Sequence, residues 1–216
     1  MARFDKIKSR ASIKSSLTCF KAVDSTDVSD VVVINNNENE FIEKALSLKY
    51  KTIIFLTQNI TYKRFKDDRI EIKFAYLAKN TSEINKARKN FDYVFAFAER
   101  QFFESKVDHI INAELSDKKD SFHYKNTSLN QVHAILCKQN NITITFNVGL
   151  LMSGIKKQQV VFGRMLQNAL LVRKYKLKYS LFSFAESPEA MIDPILLRSL
   201  VPTLGLQIVK IKKQQI

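Results

Sequence analysis

The side chains in this sequence best supplied to do chemistry are cations. Between Ser121 and Ala185 there is no Asp or Glu, yet Lys125, Lys138, Lys156, Lys157, Arg164, Arg173, Lys174, Lys176 and Lys178 all fall there. A solvated surface normally mixes both signs, so an acid-free stretch sets up a one-signed local field. Codon bias towards Lys would add lysines, but it does not remove acids. Each of these cations could neutralise a phosphate, which adds affinity without sequence readout. Tyr175 and Tyr179 are interleaved with them and are candidates for stacking on bases, Tyr179 with a stronger claim to a structural role.

Other chemistries are poorly supplied. The three histidines, His109, His123 and His133, form neither His-x-His nor His-Glu-x-x-His, the spacings that put two imidazoles on one metal. A metal-dependent phosphoesterase also needs several carboxylates at strand ends. The apolar runs closing at Val148 and Phe184 offer Asn147 and Ser183 there, and Glu99 and Glu114 follow strands without forming a pair. Cys137 sits beside Ile135 and Leu136 and reads as a small core hydrophobe. With only 4 glycines there is no Gly-rich phosphate loop, and no Gly-x-Ser-x-Gly elbow occurs.

The whole chain carries the same bias. Its 216 residues hold 35 Lys+Arg against 21 Asp+Glu, a net charge of +14. That excess draws a protein towards polyanions, of which nucleic acid and an anionic membrane surface are the usual ones. The N-terminus, Met1 to Lys6, has no apolar run after its charges, and no run approaches the ~18 residues needed to span a membrane. Two cysteines, Cys19 and Cys137, cannot build a disulfide framework, so a reducing intracellular compartment is expected.

Something must position the cations. Runs rich in β-branched and aromatic residues recur at 31–34, 52–56, 70–77, 93–98, 109–111, 142–148, 179–184 and 207–211. They are continuous rather than alternating, which marks strands buried on both faces of a parallel sheet. Between them lie helical patterns. Residues 40–48 place Phe41, Ala45 and Leu48 on one face, and Thr81-Ser82-Glu83 opens a second helix. Residues 129–138 bring Val132, Ile135 and Leu136 together, and 160–175 form a stripe of Phe162, Met165, Leu166, Ala169, Leu170 and Val172. A last helix is expected to start at Ser187-Pro188-Glu189 and stop at Gly205. Asn35 to Asn37 and Asp117 to Asn126 read as loops. The alternation predicts one α/β domain over 1–216, a parallel barrel or a doubly wound sheet, with 1–30 left unassigned. The length is below the ~250 residues of a full eight-fold barrel, so a barrel here must be compact or incomplete.

Several segments resemble one family. Leu129-Asn130-Gln131-Val132 followed by Asn140-Asn141-Ile142-Thr143-Ile144-Thr145-Phe146-Asn147-Val148 is similar to the central helix–strand unit of ribonuclease P protein component 3. This is the archaeal counterpart of the eukaryotic thirty-kilodalton RNase P subunit. The likeness runs on through Arg164-Met165-Leu166-Gln167-Asn168-Ala169, Arg173-Lys174-Tyr175-Lys176 and Leu181-Phe182-Ser183-Phe184-Ala185 to Asp193-Pro194 and Leu204-Gly205-Leu206. Lys118-Lys119-Asp120-Ser121 looks like the family's basic-Asp-Ser loop. The sequence departs from the family where an Arg usually precedes Pro194, since Met191-Ile192-Asp193 stand there. The loop 121–128 is expanded, and the chain stops at Ile216 where the family continues into another helix.

The resemblance implies a compact TIM-barrel-like, PHP-like parallel barrel, incomplete at its C-terminal end. It implies a subunit of the ribonuclease P ribonucleoprotein, which removes the 5′ leader of precursor tRNA. Catalysis is then expected from the RNA subunit with Mg²⁺, with no cofactor and no catalytic residue in this chain. The expected partners are the RNase P RNA and a small α/β protein subunit in a heterotetramer, with precursor tRNA met indirectly and no membrane. The expected location is the cytoplasm, or the nucleus of a eukaryote. The expected RNA-binding residues are Lys118, Lys119, Lys156, Lys157, Arg164, Arg173, Lys174, Lys176 and Lys178. The alternative is a metal-dependent phosphoesterase of PHP type, for which Mn²⁺- or Zn²⁺-dependent phosphatase activity of the isolated chain would be decisive.

Overall fold

In the computed structural model, which describes residues 28–117, 119–122, 124–154 and 157–207, seven strands run parallel in sequential order. They are β1 (Ser29–Val33), β2 (Thr52–Thr57), β3 (Glu71–Ala78), β4 (Tyr93–Phe97), β5 (His109–Ile111), β6 (Thr143–Asn147) and β7 (Lys178–Phe182). The helices are α1 (Glu38–Ser47), α2 (Ile84–Asn90), α3 (Arg100–Phe103), α4 (Gln131–Gln139), α5 (Gln158–Tyr175) and α6 (Pro194–Thr203). The chain just past β7 returns to β1, where Val32 bridges Ala185 and Val33 N–H donates to the Ala185 carbonyl at 2.8 Å. The sheet thus curls into a nearly closed barrel of seven strands.

The two faces of the sheet make two cores, although β6 turns Thr143, Thr145 and Asn147 rather than apolar residues to the inner one. Val31, Ile54, Leu56, Ala75, Leu77, Phe95, Ile111, Phe182 and Phe184 fill the barrel interior. The alternate positions, such as Val32, Phe55, Phe74, Val94, Ile110, Ile144 and Phe146, point outward into the helices. A strand buried on both faces needs apolar residues at successive positions, which is why these segments read as unbroken runs. No helix covers the β2–β3 connection. Its loop instead lays Tyr62 and Phe65 on the sheet, with Phe65 edge-on to Phe74 at 5.4 Å and 5.6 Å from Phe55.

The last helix starts later than the sequence predicts. Pro188–Ala190 form only a single 3-10 turn, and α6 begins at Pro194. The Asp193 carboxylate accepts the Ile195 N–H at 2.7 Å, so Asp193 is the cap and Pro194 the first helical residue. A residue before proline avoids the helical region, which prevents one helix from running through this point. The strand expected at 207–211 lies outside the described residues apart from Gln207. Among the described residues, no helix is long and apolar enough to cross a membrane.

Candidate nucleic-acid interface

Helices in a parallel barrel run antiparallel to its strands, so the cations of 119–178 are sorted between two ends. The β5–α4 loop and the start of α5 lie at the C-terminal end of the strands, and the α5–β7 connection lies at the opposite end. With 18 residues at 1.5 Å rise, α5 holds the ends about 27 Å apart. Lys119 and Lys157 are exposed at the first end, and Lys125 reaches over Gly163 there. Arg173, Lys174 and Lys176 are exposed at the second. The expected basic patch is therefore two patches joined by one helix. Lys118 and Lys156 lie outside the described residues.

Lys178 belongs to neither. It is half-buried at the start of β7, and its charge acts on His109. His109 is buried inside the barrel, stacked on Phe95 at 4.4 Å, with Nδ1 bonded to Thr145 Oγ1 at 2.9 Å. Burial first, and Lys178 second, push its pKa down to about 3, so the ring is neutral. His133 is a packing residue, stacked on Phe103 at 4.2 Å with Nδ1 bonded to the Ser128 carbonyl. Cys137 is buried in the core, as its neighbours suggest.

Arg164 corrects the sequence reading. It is only 3 % exposed and faces the interior, so it presents no surface to a phosphate. Its Nη1 donates to the carbonyls of Glu114 (3.0 Å) and Ser116 (2.8 Å), and its Nε to Asp120 Oδ1 at 3.0 Å. Asp120 also accepts the Asn126 N–H at 2.9 Å, and Lys125 Nζ lies 3.6 Å from its other oxygen. Burial works against the Asp120 charge, but Asn126, Arg164 and Lys125 outweigh it and hold its carboxyl below the usual range. One buried guanidinium thus pins both limbs of the loop that follows β5.

Asn168, one turn further along α5, is also buried and donates to Glu114 Oε1 at 3.4 Å. Among the described residues, Glu114 Oε2 and Asn168 Oδ1 have no hydrogen-bond partner. Burial drives the Glu114 carboxyl up to about 7.

The inward turn of Arg164 and Asn168 shifts the rest of the helical surface. Leu166 and Leu170 of α5 are exposed, the latter by 52 %. On α4 the core takes the small residues Ala134 and Cys137, and Val132 (62 %) and Ile135 face outward. The stripes predicted to pack inward therefore leave apolar side chains on neighbouring helices between the two basic ends. At the distal end, Lys174 Nζ lies 5.5 Å over the Tyr175 ring. Tyr179 donates its hydroxyl to the Gln207 carbonyl, a structural role. Lys176 ends α5 in the left-handed region at φ 57, a position where glycine is usual.

Among the described residues, no group of three or more His, Cys, Asp or Glu side chains is arranged to hold a metal ion.

No family model and no curated protein matches this sequence. The fold does have solved counterparts. A chain of the cryo-EM structure of archaeal ribonuclease P with mature tRNA is similar over 82 % of this chain and 83 % of that one, with a TM-score of 0.64 and 16 % identity. The two share a fold. The crystal structure of an uncharacterized protein is similar over 83 % of this chain and 70 % of that one, with a TM-score of 0.50 and 10 % identity. The TIM-barrel-like architecture expected from the sequence is thus the architecture observed.

Proposed function

We propose that this chain is an RNA-binding protein subunit of the ribonuclease P ribonucleoprotein. In this reading it supports the catalytic RNA in removing the 5′ leader from precursor tRNA. The observation that carries it is the shared fold with a chain of archaeal ribonuclease P over four-fifths of both molecules. The charge supports it independently, since a net +14 and an acid-free stretch from Ser121 to Ala185 suit a phosphate backbone. Arg173, Lys174 and Lys176 at one end, and Lys119 and Lys157 at the other, contact RNA phosphates. The chain itself makes no catalytic contribution, and Mg²⁺ acts with the RNA. The exposed Val132, Ile135, Leu166 and Leu170 favour an additional protein partner, the small α/β subunit, on the helical face between the basic ends.

Salt titration of binding to a structured RNA tests this reading. The logarithm of the affinity should fall linearly with the logarithm of salt, with a slope of about −0.7 to −0.9 per phosphate neutralised. An affinity that does not respond to salt would rule out phosphate contact as its basis.

A further inference from the structure

The end of the barrel where the strands start is built differently on its two sides. The residue just before β4 is Asp92, and the one before β5 is Asp108. Each accepts a backbone N–H of the preceding strand, Asp92 Oδ2 from Phe74 at 2.8 Å and Asp108 Oδ2 from Val94 at 2.9 Å. Each also pairs with an arginine, Asp92 with Arg64 and Asp108 with Arg88. Glu71, at the start of β3, accepts from Thr52 Oγ1 at 2.7 Å and lies 3.4 Å from Lys73 Nζ. On this side every acid at a strand start has its cation.

The other side lacks these acids. The equivalent residues are Ile142 before β6, Leu177 before β7 and Lys51 before β2. Closure of the barrel through Val32 and Ala185 puts β1 between β7 and β2, so the order around this side is β6, β7, β1, β2. Two stretches without Asp or Glu thereby become neighbours, 121–185 and a second one from Lys44 to Lys66. Lys138 ends α4, Arg173 and Lys174 end α5, and Lys49 and Lys51 follow α1. All five side chains are exposed.

What accompanies the cations selects the ligand. Among the described residues, no exposed aromatic or large aliphatic side chain lies on this surface. Tyr175 is half-buried under Lys174, and Tyr179 is tied to the Gln207 carbonyl. Sites for single-stranded RNA add rings on which bases stack, and membrane-surface sites add apolar side chains that enter the headgroup layer. Cations without either suit a paired RNA helix. Its bases are stacked on each other, and it is held through phosphates and 2′-hydroxyls.

We propose that the β6–β7–β1–β2 side of this end docks a paired RNA segment, with Lys49, Lys51 and Lys138 extending the Arg173–Lys174 patch around the barrel. This rests on the RNA-binding reading and adds to it the face used and the form of RNA that the face accepts.

The test uses the full chain with a blunt RNA duplex, an unstructured single-stranded RNA of the same length, and vesicles of mixed phosphatidylserine and phosphatidylcholine. Wild type should bind the duplex most tightly. Lys49→Glu/Lys51→Glu/Lys138→Glu should weaken duplex binding roughly ten-fold or more and reduce the salt slope by about two to three. The neutral variant Lys49→Gln/Lys51→Gln/Lys138→Gln should show a smaller loss in the same direction. An equal charge reversal around β3, Lys63→Glu/Lys79→Glu/Lys86→Glu, should keep the wild-type slope, which separates local contact from net charge. All six lysines are exposed, so these variants should melt near the wild-type temperature. Wild-type duplex affinity in both Lys49/Lys51/Lys138 variants, an equal loss in the Lys63/Lys79/Lys86 variant, or tighter binding of the single strand overturns the docking face and leaves the RNA-binding reading standing. A wild-type chain that binds neither RNA at low salt, whether or not it binds the vesicles, overturns both.

Discussion

Asp30 and Ser183, 153 residues apart in sequence, meet at the seam where the barrel closes. Ser183 N–H donates to Asp30 Oδ1 at 2.7 Å, and Ser183 Oγ donates to Oδ2 at 2.6 Å. Oδ1 also accepts the Val31 N–H at 2.9 Å. The next residue, Phe184, has φ 50, a left-handed conformation that costs a bulky side chain about 1–3 kcal/mol. The Asp30 bonds on one side and the Ala185 pairing with Val33 on the other hold that turn in place, and Phe184 enters the barrel core.

Removing this contact should open the seam. Asp30→Ala strands buried donors of Val31 and Ser183 and should cost about 2–4 kcal/mol in denaturant unfolding. Asp30→Asn keeps one acceptor oxygen and should cost less. Burial raises the Asp30 carboxyl to about 6, although the Ser183 and Val31 bonds pull it down. An acid whose folded pKa exceeds its ordinary 3.8 binds its proton more tightly when folded, so its contribution to stability falls as pH rises from about 4 to about 6. Asp30→Asn should remove that slope.

Arg164→Ala should release the loop after β5. Breaking a buried ion pair by deleting one partner leaves the rest unsatisfied and typically costs about 3–5 kcal/mol. Hydrogen exchange should rise across 114–128 while the amides of β1 to β4 keep their protection. A uniform loss of protection would mean that Arg164 supports the whole core instead.

Glu114 gives a second pH signature. Its pKa of about 7 in the fold, against an ordinary 4.5, means that its contribution falls as pH rises between those values. His109 acts in the opposite direction. The unfolded chain takes up a proton below its ordinary 6.5, but the buried ring resists until about 3, so acidification through that range removes stability. Glu114→Gln keeps an acceptor oxygen for the Asn168 amide without a titrating proton. Its melting temperature should exceed wild type above pH 7 and converge with it near pH 4.

Much of this architecture is legible from local pattern. Strands such as β2 and β4 announce themselves because burial on both faces makes them apolar at successive positions, whereas β6 alternates with Thr143, Thr145 and Asn147. The exceptions are polar residues whose partners are remote in sequence. Nothing around Asp30 signals Ser183. Arg164 reads as a surface cation because a helical repeat cannot reveal that the loop carbonyls of Glu114 and Ser116 face it. Once Arg164 and Asn168 turn inward, Leu166 and Leu170 must turn outward, and the predicted stripe is displaced.

Lys176 separates stability from binding. A non-glycine residue in the left-handed region costs roughly 1–2 kcal/mol, so Lys176→Gly should stabilise the chain by about that amount. It should also weaken RNA binding. Reversing charge at Arg173, Lys174 and Lys176 together should weaken binding further and flatten the salt slope in proportion to the phosphates lost. A triple variant with the wild-type slope would place the RNA elsewhere on the molecule.

The most direct measurement is to recover the native chain under low salt, identify the RNA bound to it, and ask what that RNA does. The expected result is one structured RNA that, with Mg²⁺, cleaves the 5′ leader from precursor tRNA. Recovery of no specific RNA, or of an RNA without that activity, would contradict it.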